Sequence, residues 1–255
     1  MKYLKYEQIN NQVVRLTVNR PDVRNALNWQ AMDELSQVIQ RLKTDNQIRV
    51  LLVGGEGKAF ISGADLGLVS RLDTSEEGER LAATMGETLA EMRELPLLTI
   101  AMIDGPARGG GAEIAVACDI RFMSAAATIG FVHTSLGLIP GWGGANRLYS
   151  LVGYSIALEY LASAKAICAD EALQVGLVNA VFPEQDFERE VYDYVETVIK
   201  NSSAAIISLK ELFLSWEQAG GDTERRLAER ARFLELWGKD QRREKIAKIV
   251  NKKRE

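Results

Sequence analysis

The sequence predicts an α/β core followed by a helical C-terminal layer, and three observations predict it. Residues 50–53 and 97–103 are almost wholly apolar, the pattern of interior strands in a sheet covered by helices on both faces. Apolar residues at three- and four-residue spacing lie between those strands, so strand, helix and strand alternate in the manner of right-handed βαβ crossovers. Past about residue 140 the strand patterns give way to helical ones.

The elements follow in order. Val14, Leu16 and Val18 alternate with Arg15, Thr17 and Asn19, a half-buried strand that Pro21 ends. Asn28 is placed to cap a helix whose apolar face is Trp29, Met32, Leu35, Val38, Ile39 and Leu42. The strand at 50–53 runs into a glycine-rich turn, Gly54-Gly55-Glu56-Gly57-Lys58. A polar, acidic stretch around 73–79 and a helix from Leu81 to Met92 complete a long connection of the kind that carries binding residues. Near the end, Val191, Tyr194, Val195, Val198 and Ile199 form one helical face, and Ile206, Leu209, Leu212 and Phe213 another. No repeat or low-complexity linker divides the chain, so it reads as a core over 1–195 with a helical region over 196–255.

Composition excludes more than it assigns. The 255 residues are 47% hydrophobic and 26% charged, enough for a sizeable core and ordinary for a globular protein. Net charge is −4, but residues 239–255 hold eight Lys/Arg against three Asp/Glu, so the body of the chain is acidic and offers no nucleic-acid surface. Cys118 and Cys168 stand singly, without metal-site or disulfide spacing, and are expected to be reduced, buried thiols. The longest strongly apolar run, 97–103, is about a third of a membrane span, and the N-terminus has no signal-peptide pattern, so a cytoplasmic location is expected.

Gly109-Gly110-Gly111-Ala112-Glu113 opens an apolar helical run. Glycines let a ligand approach the backbone, free N–H groups at a helix start favour negative charge, and Glu113 places an acid/base group beside them. Phosphate-loop, dinucleotide and nucleophile-elbow patterns fail: Ala59 follows Gly57-Lys58, neither glycine cluster completes GxGxxG, and Phe60 stands where an elbow serine needs glycine. His133 is the single histidine, so any imidazole chemistry is its own. Gly137, Pro140, Gly141, Trp142, Gly143 and Gly144 mark a loop entering a helix.

Five motifs in register now resemble one family. Asn19-Arg20-Pro21 with Asn25-Ala26-Leu27, Phe60-x-Ser62-Gly63-Ala64-Asp65-Leu66, Gly109–Glu113, Cys118-Asp119-x-Arg121 and Leu136-Gly137-x-x-Pro140-x-x-Gly143-Gly144 are similar to the crotonase, or enoyl-CoA hydratase/isomerase, superfamily. The resemblance implies a crotonase spiral of ββα units with two sheets and C-terminal helices that assemble trimers, sometimes stacked as hexamers. It implies an acyl-CoA thioester as substrate, with no separate cofactor and no metal. By motif position, the N–H groups of Ser62 and Gly110 form an oxyanion hole. Coenzyme A lies along Ala26, Gly63, Ala64, Asp65, Leu66 and Gly109, with Arg24, Lys58, Lys248 and Lys252 near its phosphates. Trp142, Phe233 and Trp237 wall the acyl group or pack the core. Asp119 and Arg121 are expected to be a structural ion pair, and Asp65 to orient backbone.

The departure from the family bears on the reaction. Hydratases of this superfamily carry a second glutamate in a Pro-Glu pair ahead of Leu-Gly, whereas Phe131-Val132-His133 stands here. Hydration needs one group for water and one for the α-proton, while decarboxylation of a malonyl-type thioester makes the same enolate without a base and then needs one proton donor. Phe131-Val132-His133, Leu95-Pro96-Leu97, Trp142 and Leu236-Trp237-Gly238 resemble the decarboxylating branch, whose substrates are ethylmalonyl- and methylmalonyl-CoA. Glu113 and His133 are therefore the catalytic candidates, either supplying the proton. An enoyl-CoA hydratase or isomerase is the alternative, and a non-catalytic acyl-CoA-binding protein a remote one.

Overall fold

The structure is a computed structural model that describes residues 1–216 and 221–237. Contacts divide the chain into two units, Met1–Glu196 and Thr197–Glu255.

The first unit opens with a hairpin of β1 (Leu4–Asn10) and β2 (Val13–Val18). The 14-residue helix α1 (Trp29–Leu42) follows, with the Asn28 side chain accepting from Ala31 N–H as its cap. Its predicted face is buried from Met32 to Leu42, with Trp29 at its edge. Next come β3 (Val50–Gly55), the short α2 (Leu66–Val69), α3 (Ser75–Arg93), β4 (Leu98–Ile103) and β5 (Ala107–Arg108). Helix α3 begins six residues before the predicted start at Leu81, because Thr74 and Glu77 close a reciprocal capping box over an exposed first turn. Then follow α4 (Gly110–Ala117), β6 (Ile120–Ser124), β7 (Thr128–Gly130), α5 (Gly144–Ser163), β8 (Ile167–Cys168), α6 (Ala169–Gln174), β9 (Ala180–Phe182) and the start of α7 (Phe187–Ile199).

These strands form two sheets. One is six-stranded in the order β1-β2-β3-β4-β6-β9, parallel throughout except for the opening hairpin; the other is three-stranded, β5-β7-β8. Every residue of β3 is buried, and Leu52 faces Ile100 across the register, as both-face apolar strands require. Because β3 and β4 are parallel, the loops that leave them emerge at the same end of the sheet, and the site is built there.

The second unit holds α8 (Ser203–Trp216) and α9 (Asp222–Trp237), joined by an Arg232–Glu211 ion pair at 3.0 Å. Cys118 is buried as expected, but Cys168 is exposed: in the two-residue strand β8, Ile167 points inward and its neighbour outward. No helix among the described residues is long and apolar enough to cross a membrane.

Candidate active site

Two glycine-bearing turns meet at the start of α4. Gly109 has φ +52°, a conformation natural to glycine, and its N–H is held by the Gly130 carbonyl at 2.9 Å. A Cβ on Gly63 would lie 2.7 Å from the Gly110 nitrogen, and one on Gly111 would lie 1.8 Å from the Ile61 carbonyl oxygen. Only glycine lets the 61–63 turn lie this close to the helix start. Among the described residues, neither the Ser62 N–H nor the Gly110 N–H donates to a protein acceptor.

The 62–66 segment is tied to a second chain segment. Leu27 bridges Ala64, with Leu27 N–H donating to the Gly63 carbonyl at 2.7 Å and Asp65 N–H to the Leu27 carbonyl at 2.9 Å. Asp65 caps α2 through Gly67 N–H and pairs with Arg20 at 3.0 Å, in keeping with the backbone-orienting role expected of it. Burial pushes its carboxyl up, but the Arg20 guanidinium and the Gly67 N–H outweigh this and hold it below the usual range.

Glu113, in the first turn of α4, is 1% exposed. Its Oε2 accepts from Trp142 N–H at 2.9 Å and from Gly144 N–H at 2.8 Å. Its Oε1 lies 3.0 Å from His133 Nε2, in the 3-10 turn Val132–Leu136. The other imidazole nitrogen, Nδ1, is buried without a hydrogen-bond partner. A Cβ on Gly109 would be 3.9 Å from His133 Nε2, and one on Gly110 only 2.0 Å from the Trp142 ring. Ser62, Gly63, Gly109, Gly110, Glu113, His133 and Trp142 thus come together.

The remaining candidates are placed as follows. Ala26 and Ala64 line the bridged segments, Leu66 is 65% exposed, and Arg24 and Lys58 stand exposed nearby in sequence. Phe233 and Trp237 lie in the second unit, their rings 5.2 Å apart. Lys248 and Lys252 lie outside the described residues. Asp119 accepts from Thr99 N–H and hydroxyl, and Arg121 donates to the Leu177 and Cys118 carbonyls, so both brace backbone.

Sequence reasoning missed the parts that hold the site. Arg20 donates to the Ala26 carbonyl, and the buried Asn25 amide donates to the Glu56, Ala59 and Phe60 carbonyls, fixing the loop that leads to Ser62. Both residues sit in the motifs that carried the resemblance, which was the available signal.

The chain matches the enoyl-CoA hydratase/isomerase family over residues 8–254. It belongs to that family. Among curated relatives, ethylmalonyl-CoA decarboxylase of Xenopus tropicalis is 35% identical over 91% of this chain and 78% of its own. Short-chain-enoyl-CoA hydratase of Clostridium acetobutylicum is 31% identical over 95% and 93%. Among solved structures, enoyl-CoA hydratase from Bacillus anthracis superposes with a TM-score of 0.93 at 28% identity, covering 98% of this chain and 96% of that one. The α/β spiral with C-terminal helices expected from the motifs is the crotonase fold of this family. Membership makes the chain an acyl-CoA enzyme, and both decarboxylases and hydratases stand among its relatives.

Proposed function

We propose that this protein decarboxylates short alkylmalonyl-CoA thioesters, ethylmalonyl-CoA and methylmalonyl-CoA, to the saturated acyl-CoA. The observation that carries the reading is the 3.0 Å contact between His133 Nε2 and Glu113 Oε1; by the motif resemblance, His133 stands at the position where the hydratases carry their second glutamate. The decarboxylase relatives support it.

In this reading the thioester oxygen accepts from the Ser62 and Gly110 N–H groups, and the substrate carboxylate stands perpendicular to the thioester plane. The carbon–carbon bond breaks, CO₂ leaves, and the bonding pair enters the enolate whose oxygen the two N–H groups hold. Each such donor contributes roughly 3 kcal/mol where one has been removed in other enzymes. The α-carbon then takes one proton, delivered through the Glu113–His133 pair and replaced from solvent. The thioester is itself the electron sink, so the chemistry asks for no cofactor beyond the coenzyme A of the substrate, whose chain would lie along Ala26 and 63–66. Assembly as a homotrimer, or a hexamer of two trimers, belongs to the same proposal.

The alternative, enoyl-CoA hydration, draws on the Clostridium relative. The deciding experiment incubates the protein separately with ethylmalonyl-CoA and crotonyl-CoA and follows products by mass. Butyryl-CoA from the first, with crotonyl-CoA intact, is expected; hydration of crotonyl-CoA with ethylmalonyl-CoA untouched would overturn the proposal.

A further inference from the structure

We infer that Glu113 is a positioning residue that holds His133 as its Nε2–H tautomer, so that the site's hydrogen sits on the imidazole nitrogen beside the glycine turn. Hydrogen-bond accounting around one carboxylate leads there. Oε2 already accepts from the Trp142 and Gly144 N–H groups, and an oxygen facing two donors has no room for a hydrogen of its own. Any hydrogen the pair shares must lie between Oε1 and Nε2, 3.0 Å apart. A neutral ring carries one hydrogen, so a bare Nε2, whether it accepts from a protonated Oε1 or faces an ionised one, leaves that hydrogen on Nδ1, which is buried with no acceptor. A buried N–H without a partner is rarer and costlier than a bare lone pair. With the hydrogen on Nε2, the carboxylate accepts from three donors and only the Nδ1 lone pair goes unmatched.

The same nitrogen is the one that faces the glycine turn. Nε2 lies 3.9 Å from where a Cβ on Gly109 would stand, and Gly110, the next residue, presents a free N–H. The nitrogen that carries the hydrogen is therefore the one beside the turn, and Glu113, 1% exposed behind it, acts through the ring.

The tautomer inference stands on geometry alone, while its consequence for activity rests on the decarboxylase reading. Glu113→Gln separates the two. The carbonyl oxygen of the introduced amide must take the place of Oε2 to accept from Trp142 and Gly144, which turns the amide NH₂ toward Nε2 and forces the ring into the Nδ1–H form. His133 is the only histidine, so its ring nitrogens are read without ambiguity by long-range ¹H–¹⁵N correlation, recorded at about pH 8, above the ordinary range of an imidazole. The expected result is a protonated Nε2 and bare Nδ1 in the wild type, exchanged in Glu113→Gln, with butyryl-CoA formation reduced at least about 100-fold. A wild-type ring protonated at Nδ1, or a tautomer unchanged by the substitution, would overturn the inference. Should Glu113→Gln fail to fold, the wild-type spectrum alone decides. A wild type that ignores ethylmalonyl-CoA yet shows the Nε2–H form would sink the reaction proposed above and leave the tautomer standing.

Discussion

At the scale of single residues, two positions carry consequences that the chemistry does not require. Gly110 has the Trp142 ring 2.0 Å from where a Cβ would go, so Gly110→Ala must displace a buried indole. Overpacking of this kind costs about 1–3 kcal/mol, to be read by thermal unfolding. In a Trp142→Ala background the same substitution should cost almost nothing; a penalty that persisted there would mean the strain lies in the backbone. Asp104, just beyond β4, is the other. Its Oδ1 is buried without a partner, and burial, helped by Glu188 and Glu56 against its own N–H and Arg15, pushes its carboxyl up to about 6. Because the folded value exceeds the ordinary 3.8, the fold prefers the protonated form. The contribution of Asp104 to stability is therefore greatest below pH 4, is lost as pH rises through 6, and is flat above, a change of up to about 3 kcal/mol at 1.36 per unit. Asp104→Asn should raise denaturant stability at neutral pH and leave it unchanged at about pH 4; equal curves at neutral pH would refute this.

At the scale of elements, the ends are set by polar contacts and the middles by apolar spacing, which decides what could be read from the sequence. Asn28 was legible as a cap because its type and its place before an apolar face coincide, and Asn28→Ala should cost about 1 kcal/mol of unfolding free energy. The start of α3 was not legible as such, since the Thr74–Glu77 box precedes any apolar spacing. Strand β1 escaped notice because only Leu4 in it is buried, leaving no alternation to see. Beside its ladder with β2, its start is anchored by Glu34 on α1, a buried carboxylate accepting from the N–H groups of Lys2, Tyr3 and Leu4. Glu34→Gln would turn an NH₂ against one of those donors, so it should cost about 2 kcal/mol and speed amide exchange at residues 2–4. The same logic applies to the site. Glu113 and His133 stood out by residue type, and Ser62 and Gly110 by motif. The Trp142 and Gly144 amides that grip Glu113 did not, because every residue carries an N–H and only the tertiary fold selects these two.

At the scale of the whole molecule, the surface states a requirement. In the first unit Leu138, Ile139, Tyr154 and Leu158 are each at least half exposed, and in the second Leu209, Phe213, Leu227, Phe233, Leu234 and Trp237 are too. Monomeric proteins rarely leave so many large apolar side chains in water, and helices α8 and α9 present most of theirs within about thirty residues. This favours the trimer or hexamer proposed from the family likeness over a solitary chain, and it locates the test. Light scattering at micromolar concentration should give three or six times the mass of one chain. Phe233→Glu, which puts a charge on α9, should shift that mass toward the monomer, and Leu158→Glu on α5 should do so as well if the first unit shares the interface. A wild type that runs as a monomer would refute the assembly. A trimer indifferent to Phe233→Glu but broken by Leu158→Glu would move the interface from the C-terminal helices to the outer face of α5.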